Sequence, residues 1–182
     1  SAFLTAFFFQ QVHVAEVKGW SHLELVALFP FYTVAGVAAM LTAGWAIDRF
    51  GSGRVAPAIQ IPAALGFLAF GAAGSPASAV FGVVLLGLSA GASATLPGAF
   101  WAEYFGTRHL GSIKALATAV MVLGSAIGPG ITGYAIDQGI PYPDQMPAIA
   151  LYYLIVALIV GAGVTAARRR LPAATEIDVI RP

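Results

Sequence analysis

Long stretches without a single charged side chain constrain this chain more than any other feature. Residues 25–47, 115–136 and 145–167 contain no Asp, Glu, Lys or Arg, and residues 55–102 form one uncharged run of about twice that length. A helix needs about 20 apolar residues to cross a bilayer. Each shorter run therefore predicts one membrane span, and the turn-forming residues 74–76 divide the long run into two.

The apolar N-terminal stretch adds a sixth, shorter candidate span. The predicted spans cover about residues 1–17, 23–46, 55–73, 77–98, 113–136 and 147–167. The predicted fold class is all-α, a polytopic membrane protein whose six transmembrane helices form one bundle over residues 1–170, followed by a cytoplasmic tail over residues 171–182. No soluble domain has 59% hydrophobic and only 9% charged residues.

The first candidate span is too short to cross a membrane alone. Residues 1–15 reach roughly 22 Å at about 1.5 Å per residue, against a hydrocarbon core of about 30 Å. The sequence starts with Ser1, and no basic residue precedes the apolar run, which argues against a secretory signal peptide. We expect a fragment cut inside a span, and the alternative is a half-buried N-terminal helix.

The distribution of lysine and arginine predicts the orientation in the membrane. The connections after the second, fourth and sixth spans hold seven basic residues, whereas the other connections hold only Lys18. Positive residues are enriched in cytoplasmic connections, so both ends are predicted to be cytoplasmic, in the plasma (inner) membrane. The seven are Arg49, Arg54, Arg108, Lys114, Arg168, Arg169 and Arg170.

Three of the few charges lie together in the connection between the second and third spans, GWAIDRFGSGR. Its pattern of Gly44, Asp48, Arg49, Gly51 and Arg54 resembles the loop signature G-xxx-D-R-x-G-xx-R/K of the major facilitator superfamily. An aspartate here can accept backbone N–H groups at a neighbouring helix start, and a glycine permits the tight turn. The positive-inside rule alone would explain the arginines, but it does not explain an aspartate between glycines at the membrane edge.

Two further segments resemble the same superfamily. The pattern Gly124-xxx-Gly128-Pro129-xxx-Gly133 is similar to its glycine-proline kink helix, and residues 101–116 are similar to the preceding loop of the monocarboxylate and organic-anion branch. The resemblance implies one half of a twelve-helix transporter fold, here the C-terminal six-helix half, with the N-terminal half as the alternative. It also implies alternating access, with the N-terminal half of the same chain as partner.

Polar residues at membrane depth are the candidate substrate path, because they are costly there. Gln10, His13 and Glu16 recur at a spacing of three, which places them along one side of a helix. Tyr32, Thr95 and Ser125 are further candidates, as hydroxyls in other spans. The alternative is that these groups bond their own backbone or an adjacent helix.

At the cytoplasmic edge, Glu103 and Arg108 flank a loop glycine and are predicted to form a gate or brace, with a solvated ion pair as the alternative. Ser89 lies in a G-x-S-x-G pattern, but the strand-to-helix context of a nucleophile elbow is absent from a span of small residues. We therefore predict no enzymatic activity. Without cysteine the chain has no disulfide and no thiolate metal site, and we predict no cofactor and no nucleic-acid partner.

These observations predict transmembrane transport of a small polar solute, coupled to protons because His13 and Glu16 are the titratable groups near membrane depth. No lysine or arginine lies inside a predicted span to bind a carboxylate, which weakens the argument for an organic anion. The alternative function is a non-transporting membrane assembly subunit that binds partner proteins through its helices.

Overall fold

A computed structural model describes the backbone of residues 1–170 and the side chains of residues 1–167. The predicted tail, residues 171–182, lies outside the described residues. The described part contains helices and no strand, in the order α1 (Ala2–Phe9), α2 (Gln11–Lys18), α3 (His22–Val26), α4 (Phe29–Phe50), α5 (Ser52–Ala58), α6 (Gln60–Ala72), α7 (Pro76–Phe105), α8 (Leu110–Asp137) and α9 (Tyr142–Arg170).

Local sequence signals explain where several of these helices begin and end. Gly51 has a φ of 82° between α4 and α5, a left-handed conformation that glycine adopts without steric cost. Before α7, the Ser75 side chain accepts a hydrogen bond from the backbone N–H of Ser78, and Pro76 occupies the first turn. The long uncharged run is thus divided between α6 and α7.

Five helical stretches of the described chain are long and apolar enough to cross a membrane: His22–Phe50, Ser52–Ala72, Pro76–Phe105, Leu110–Asp137 and Tyr142–Ala167. The chain is therefore an all-α polytopic membrane protein. The N-terminal stretch is also helical, but Gln10 separates it into α1 and α2. This break was not predicted, since Gln10 has no helix-breaking character of its own.

Small residues set the closest helix contacts. The backbone of α7 at Gly87 and Gly91 touches the backbone of α4 at Tyr32 and Gly36, and a methyl group on either α7 glycine would overlap it. In the same way Gly128 of α8 meets the backbone of α1. Without a hydrophobic driving force between helices in lipid, such close van der Waals packing is what associates them.

A buried apolar cluster holds α1, α6, α7 and α9 together. Phe7 of α1 packs edge-on against Phe70 with ring centroids 4.9 Å apart, and Phe67 stacks on Tyr153 at 5.6 Å. These four rings are buried. By contrast, α8 is the most exposed of the long helices, with apolar side chains exposed along its length from Leu116 to Tyr134.

Lys18 joins the end of α2 to the end of α6. Its ammonium donates to the carbonyl oxygens of Gly71 at 2.9 Å and Ala73 at 2.8 Å, and it lies 5.1 Å from the Trp20 ring centroid. Carbonyls at a helix C-terminus lack intrahelical donors and attract cations. Burial lowers the pKa of the Lys18 ammonium, and the Asp144 carboxylate opposes that shift.

We expect Lys18→Met to lower the free energy of unfolding by about 1.5–3 kcal/mol, the range for hydrogen bonds to a charged group. Methionine keeps most of the apolar stem and removes the donors. The measurement is denaturant unfolding in mixed micelles. Lys114→Met is the matched control, since Lys114 is exposed and makes no hydrogen bond in the described chain. Equal stability of both variants would contradict a role for the contact.

Candidate functional site

The break between α1 and α2 turns the Gln10 side chain toward α8. Its amide nitrogen Nε2 lies 3.3 Å from Thr132 Oγ1 and 3.5 Å from the carbonyl oxygen of Pro129. In this structure Gln10 therefore pairs with a neighbouring helix. Glu16, two turns further along, is exposed.

His13 occupies an unusual environment for a polar side chain. The residue is half-buried, and its Nε2 is fully buried and has no hydrogen-bond partner among the described residues. Burying an imidazole nitrogen without a partner costs free energy, and such groups call for an explanation beyond packing. This buried ring nitrogen without a partner is the strongest chemical feature of the predicted path.

A small pocket lies beside α1 and α2. Gln11 is the polar side chain in its wall, and the remaining lining residues are apolar or aromatic: Phe7, Val14, Leu25, Leu28, Phe29, Phe70 and Val83. Gln11 was not a predicted path residue. Its position next to Gln10 in the sequence is the only signal that could have indicated it.

The three hydroxyl candidates occupy different environments. Thr95 donates from α7 to the carbonyl of Met40 in α4 at 3.3 Å, and Ser125 donates to the carbonyl of Met121 in its own helix at 3.0 Å. Tyr32 is half-buried, and its ring lies edge-on to Phe8 at 5.2 Å. The structure therefore does not bring these three together with Gln10 and His13 by hydrogen bonds.

Residues 44–54, predicted as the connection between two spans, are the end of α4, a turn at Gly51 and the start of α5. Gly44 lies within α4, where a Cβ would meet nothing within 4 Å, and Gly51 makes the turn into α5. Asp48, Arg49 and Arg54 are all exposed. Within the described chain none of these three forms an ion pair or a side-chain hydrogen bond.

Glu103 contacts this connection directly. One carboxylate oxygen of Glu103, in the last turn of α7, accepts the backbone N–H of Ser52 at 2.9 Å. Ser52 is the first residue of α5, where N–H groups lack intrahelical partners and a negative charge is stabilising. Arg108 is exposed and, in the described chain, not paired with Glu103.

Gly53, next in the chain, is closely packed. A Cβ added to it would overlap the Tyr104 hydroxyl and would lie 2.8 Å from Val164 Cγ1. The start of α5 is therefore enclosed by α7 and α9 as well as bonded to Glu103. Sequence analysis did not identify Ser52 or Gly53 as contact residues, although Gly53 belongs to the same glycine-rich connection.

The G-x-S-x-G serine serves packing. Ser89 is buried inside α7 and donates to the carbonyl oxygen of Ile59 at 2.9 Å, at the break between α5 and α6. The hydroxyl thus satisfies a carbonyl where the third span loses its regular helix. In the described part of the chain, no group of three or more His, Asp or Glu side chains is placed to hold a metal ion.

Thr132 is the main residue that sequence reasoning missed. It is buried, and its hydroxyl bonds the carbonyls of Gly128 and Pro129, each at 3.1 Å, while accepting from Gln10. Gln145 of α9 donates to the Thr132 carbonyl at 3.2 Å. A threonine three and four residues after a glycine-proline pair was the available signal, because its hydroxyl reaches those carbonyls within one helix turn.

Comparisons with curated proteins and with solved structures gave no significant match. A family model described as Major Facilitator Superfamily matches residues 1–178. This match spans the loop signature, the glycine-proline helix and all the helices described above. The chain therefore belongs to the Major Facilitator Superfamily of membrane transporters.

Proposed function

We propose that this chain moves a small polar solute across the membrane by alternating access, as one six-helix half that rocks against a second half of the same protein. Family membership supports solute transport. The observation that carries the finer proposal is Asp48, an exposed carboxylate at the end of α4 that has no partner in the described chain.

The surroundings of Asp48 favour a contact with another domain. Glu103 already accepts the N–H of Ser52 at the start of α5, so Asp48 is not needed to hold its own loop. A carboxylate near a helix N-terminus is stabilised by about 0.3–1 kcal/mol, and by up to about 2 kcal/mol when partly buried. A helix start in the second half is the partner that would use it.

His13 supplies the support for proton coupling. Its Nε2 is buried without a hydrogen-bond partner in the described chain, and a charged N–H there would need an acceptor or water to offset its burial. Proton binding would then be linked to a change of conformation, as coupled transport requires. Gln10, Tyr32, Thr95 and Ser125 stay candidate path residues, and Arg49 and Arg54 hold the loop on the cytoplasmic side.

The test is Asp48→Asn in the full-length protein, which keeps the size of the side chain and removes its charge. We expect a shift between inward-open and outward-open states, no larger than the free energy of the contact that one state makes and the other lacks. The measurement is labelling of cysteines introduced on the two cavity faces, in a background without other cysteines; residues 1–182 contain none. Asp137→Asn, at the exposed end of α8, is the matched control.

Equal labelling of both faces in the Asp48 variant and the unsubstituted protein would show that the loop charges serve orientation alone.

The assembly-subunit alternative is less well supported, because the family match is to transporters. The organic-anion branch and the plasma-membrane location with both ends cytoplasmic remain part of the proposal, on the loop resemblance and on the lysine and arginine distribution.

A further inference from the structure

Two neighbouring helices are weakened at the same level of the bundle. The first is interrupted at Gln10, between α1 and α2, although the backbone bonds from Gln10 to Ala6 and from Val14 to Gln10 are both 2.9 Å. The second is α8, where Pro129 has no N–H to donate to the carbonyl of Ser125. Each helix therefore has fewer backbone hydrogen bonds to hold it straight at this point than a regular helix has.

The Thr132 hydroxyl lies between these two positions. A hydroxyl has one proton and can accept with its lone pairs, so Oγ1 donates to the carbonyl of Gly128 or Pro129 and accepts from Gln10 Nε2 at 3.3 Å. Thr132 is 1% exposed. Its bonds therefore form away from water, where each is worth more than at a surface.

The contacts with α8 differ between the two parts of the first helix, α1 before Gln10 and α2 after it. On the Ser1 side, the backbone of Ala2 touches Gly128, and Ser1 donates to the Met121 carbonyl at 2.9 Å, so α1 and α8 are held closely. Beyond Gln10, the described chain shows no hydrogen bond between α2 and α8. Most side chains of α8 are exposed in the described bundle, and Gln145 of α9 donates to the Thr132 carbonyl at 3.2 Å.

We propose that Thr132 is a positioning residue that couples bending of α8 at Pro129 to bending of the first helix at Gln10. The segments beyond these two points, α2 and the last two turns of α8, then move together. The proposal goes beyond the transport function because it concerns motion within one bundle, whatever the solute.

The test uses nitroxide labels on cysteines introduced at Val12 in α2 and Tyr134 in α8, both exposed, in the full-length protein in lipid nanodiscs. Double electron–electron resonance spectroscopy measures the distribution of distances between the two labels. Thr132→Val keeps the side-chain shape and removes the hydroxyl, and we expect a broader distribution. Thr132→Ser keeps the hydroxyl and is the matched control, with an unchanged distribution expected.

A second variant approaches the same bond from the other helix. Gln10→Leu should broaden the distribution as Thr132→Val does, and the double variant should broaden it no further than either alone, because both remove one interaction. If Thr132→Val does not fold, Gln10→Leu alone tests the proposed coupling. Labels at Val34 and Phe81, on α4 and α7, should keep their distances in every variant, which a general loss of packing would not allow.

Three results would overturn the proposal. The first is an unchanged distribution in Thr132→Val, or in Gln10→Leu where the valine variant does not fold. The second is equal broadening by serine and valine, which would show that the effect does not depend on the hydroxyl. The third is fully additive broadening in the double variant, which would show that Gln10 and Thr132 act independently.

Discussion

Replacing Gly91 by alanine is expected to lower the free energy of unfolding by about 3 kcal/mol or more, at or above the upper end of the usual cost of overpacking. A Cβ at this position would overlap the carbonyl oxygen of Gly36 and lie 2.8 Å from its Cα. These are backbone atoms of α4, so they cannot rotate away as a side chain would. The two helices must separate, and they then lose the close packing on which association in lipid depends.

Gly98→Ala, seven residues further along α7, provides the matched control. A Cβ at Gly98 meets nothing within 4 Å, so alanine should be neutral or stabilising, by up to about 1 kcal/mol from helix propensity. Denaturant unfolding of both variants in mixed micelles measures the difference. Similar stabilities for the two would show that α4 and α7 can move apart without cost.

Replacing His13 by alanine in the full-length protein is expected to abolish transport or reduce it strongly, with folded protein still reaching the membrane. The imidazole makes no hydrogen bond through its buried Nε2 in the described chain, so its removal deprives no neighbouring group of a partner. What is lost is the imidazole of the predicted path. The measurement is solute uptake into proteoliposomes over a range of pH.

His22→Ala controls for the loss of a histidine as such, because His22 is exposed at the start of α3. It should keep both the uptake rate and its pH dependence. If His13→Ala also left both unchanged, His13 would have no part in the mechanism, and proton coupling would lose its support in this chain. Retained uptake with an altered pH profile would place His13 in the coupling step alone.

Several features of the fold follow from composition and order alone. An apolar run of about 20 residues that crosses a bilayer as a single segment forms a helix, because a helix satisfies its backbone hydrogen bonds within the segment. The turn near Ser75 follows equally from local chemistry, since serine and proline are favoured at a helix start. The loop signature of the family could be recognised from the sequence, because Gly44, Asp48 and Gly51 lie close together in the chain.

The candidate site was less predictable, since it depends on which faces meet. Gln10, His13 and Glu16 share a spacing of three in the sequence, yet Gln10 bonds α8, His13 Nε2 is buried without a partner and Glu16 is exposed. Glu103 was expected to act with Arg108, five residues away, but it bonds Ser52 across the bundle. Sequence spacing carries no information about such distant partners.

By itself, the sequence determined that this chain is a polytopic helical membrane protein of a transporter superfamily, because lipid imposes the same requirement on every span and the family pattern is local. Only the tertiary structure decided which residues of the same type contact another helix. Gly91 and Gly98 are both glycines of α7, but one touches the backbone of another helix and the other touches nothing. In the same way, only the structure places the Thr132 hydroxyl between Gln10, where the first helix is interrupted, and Pro129 of α8.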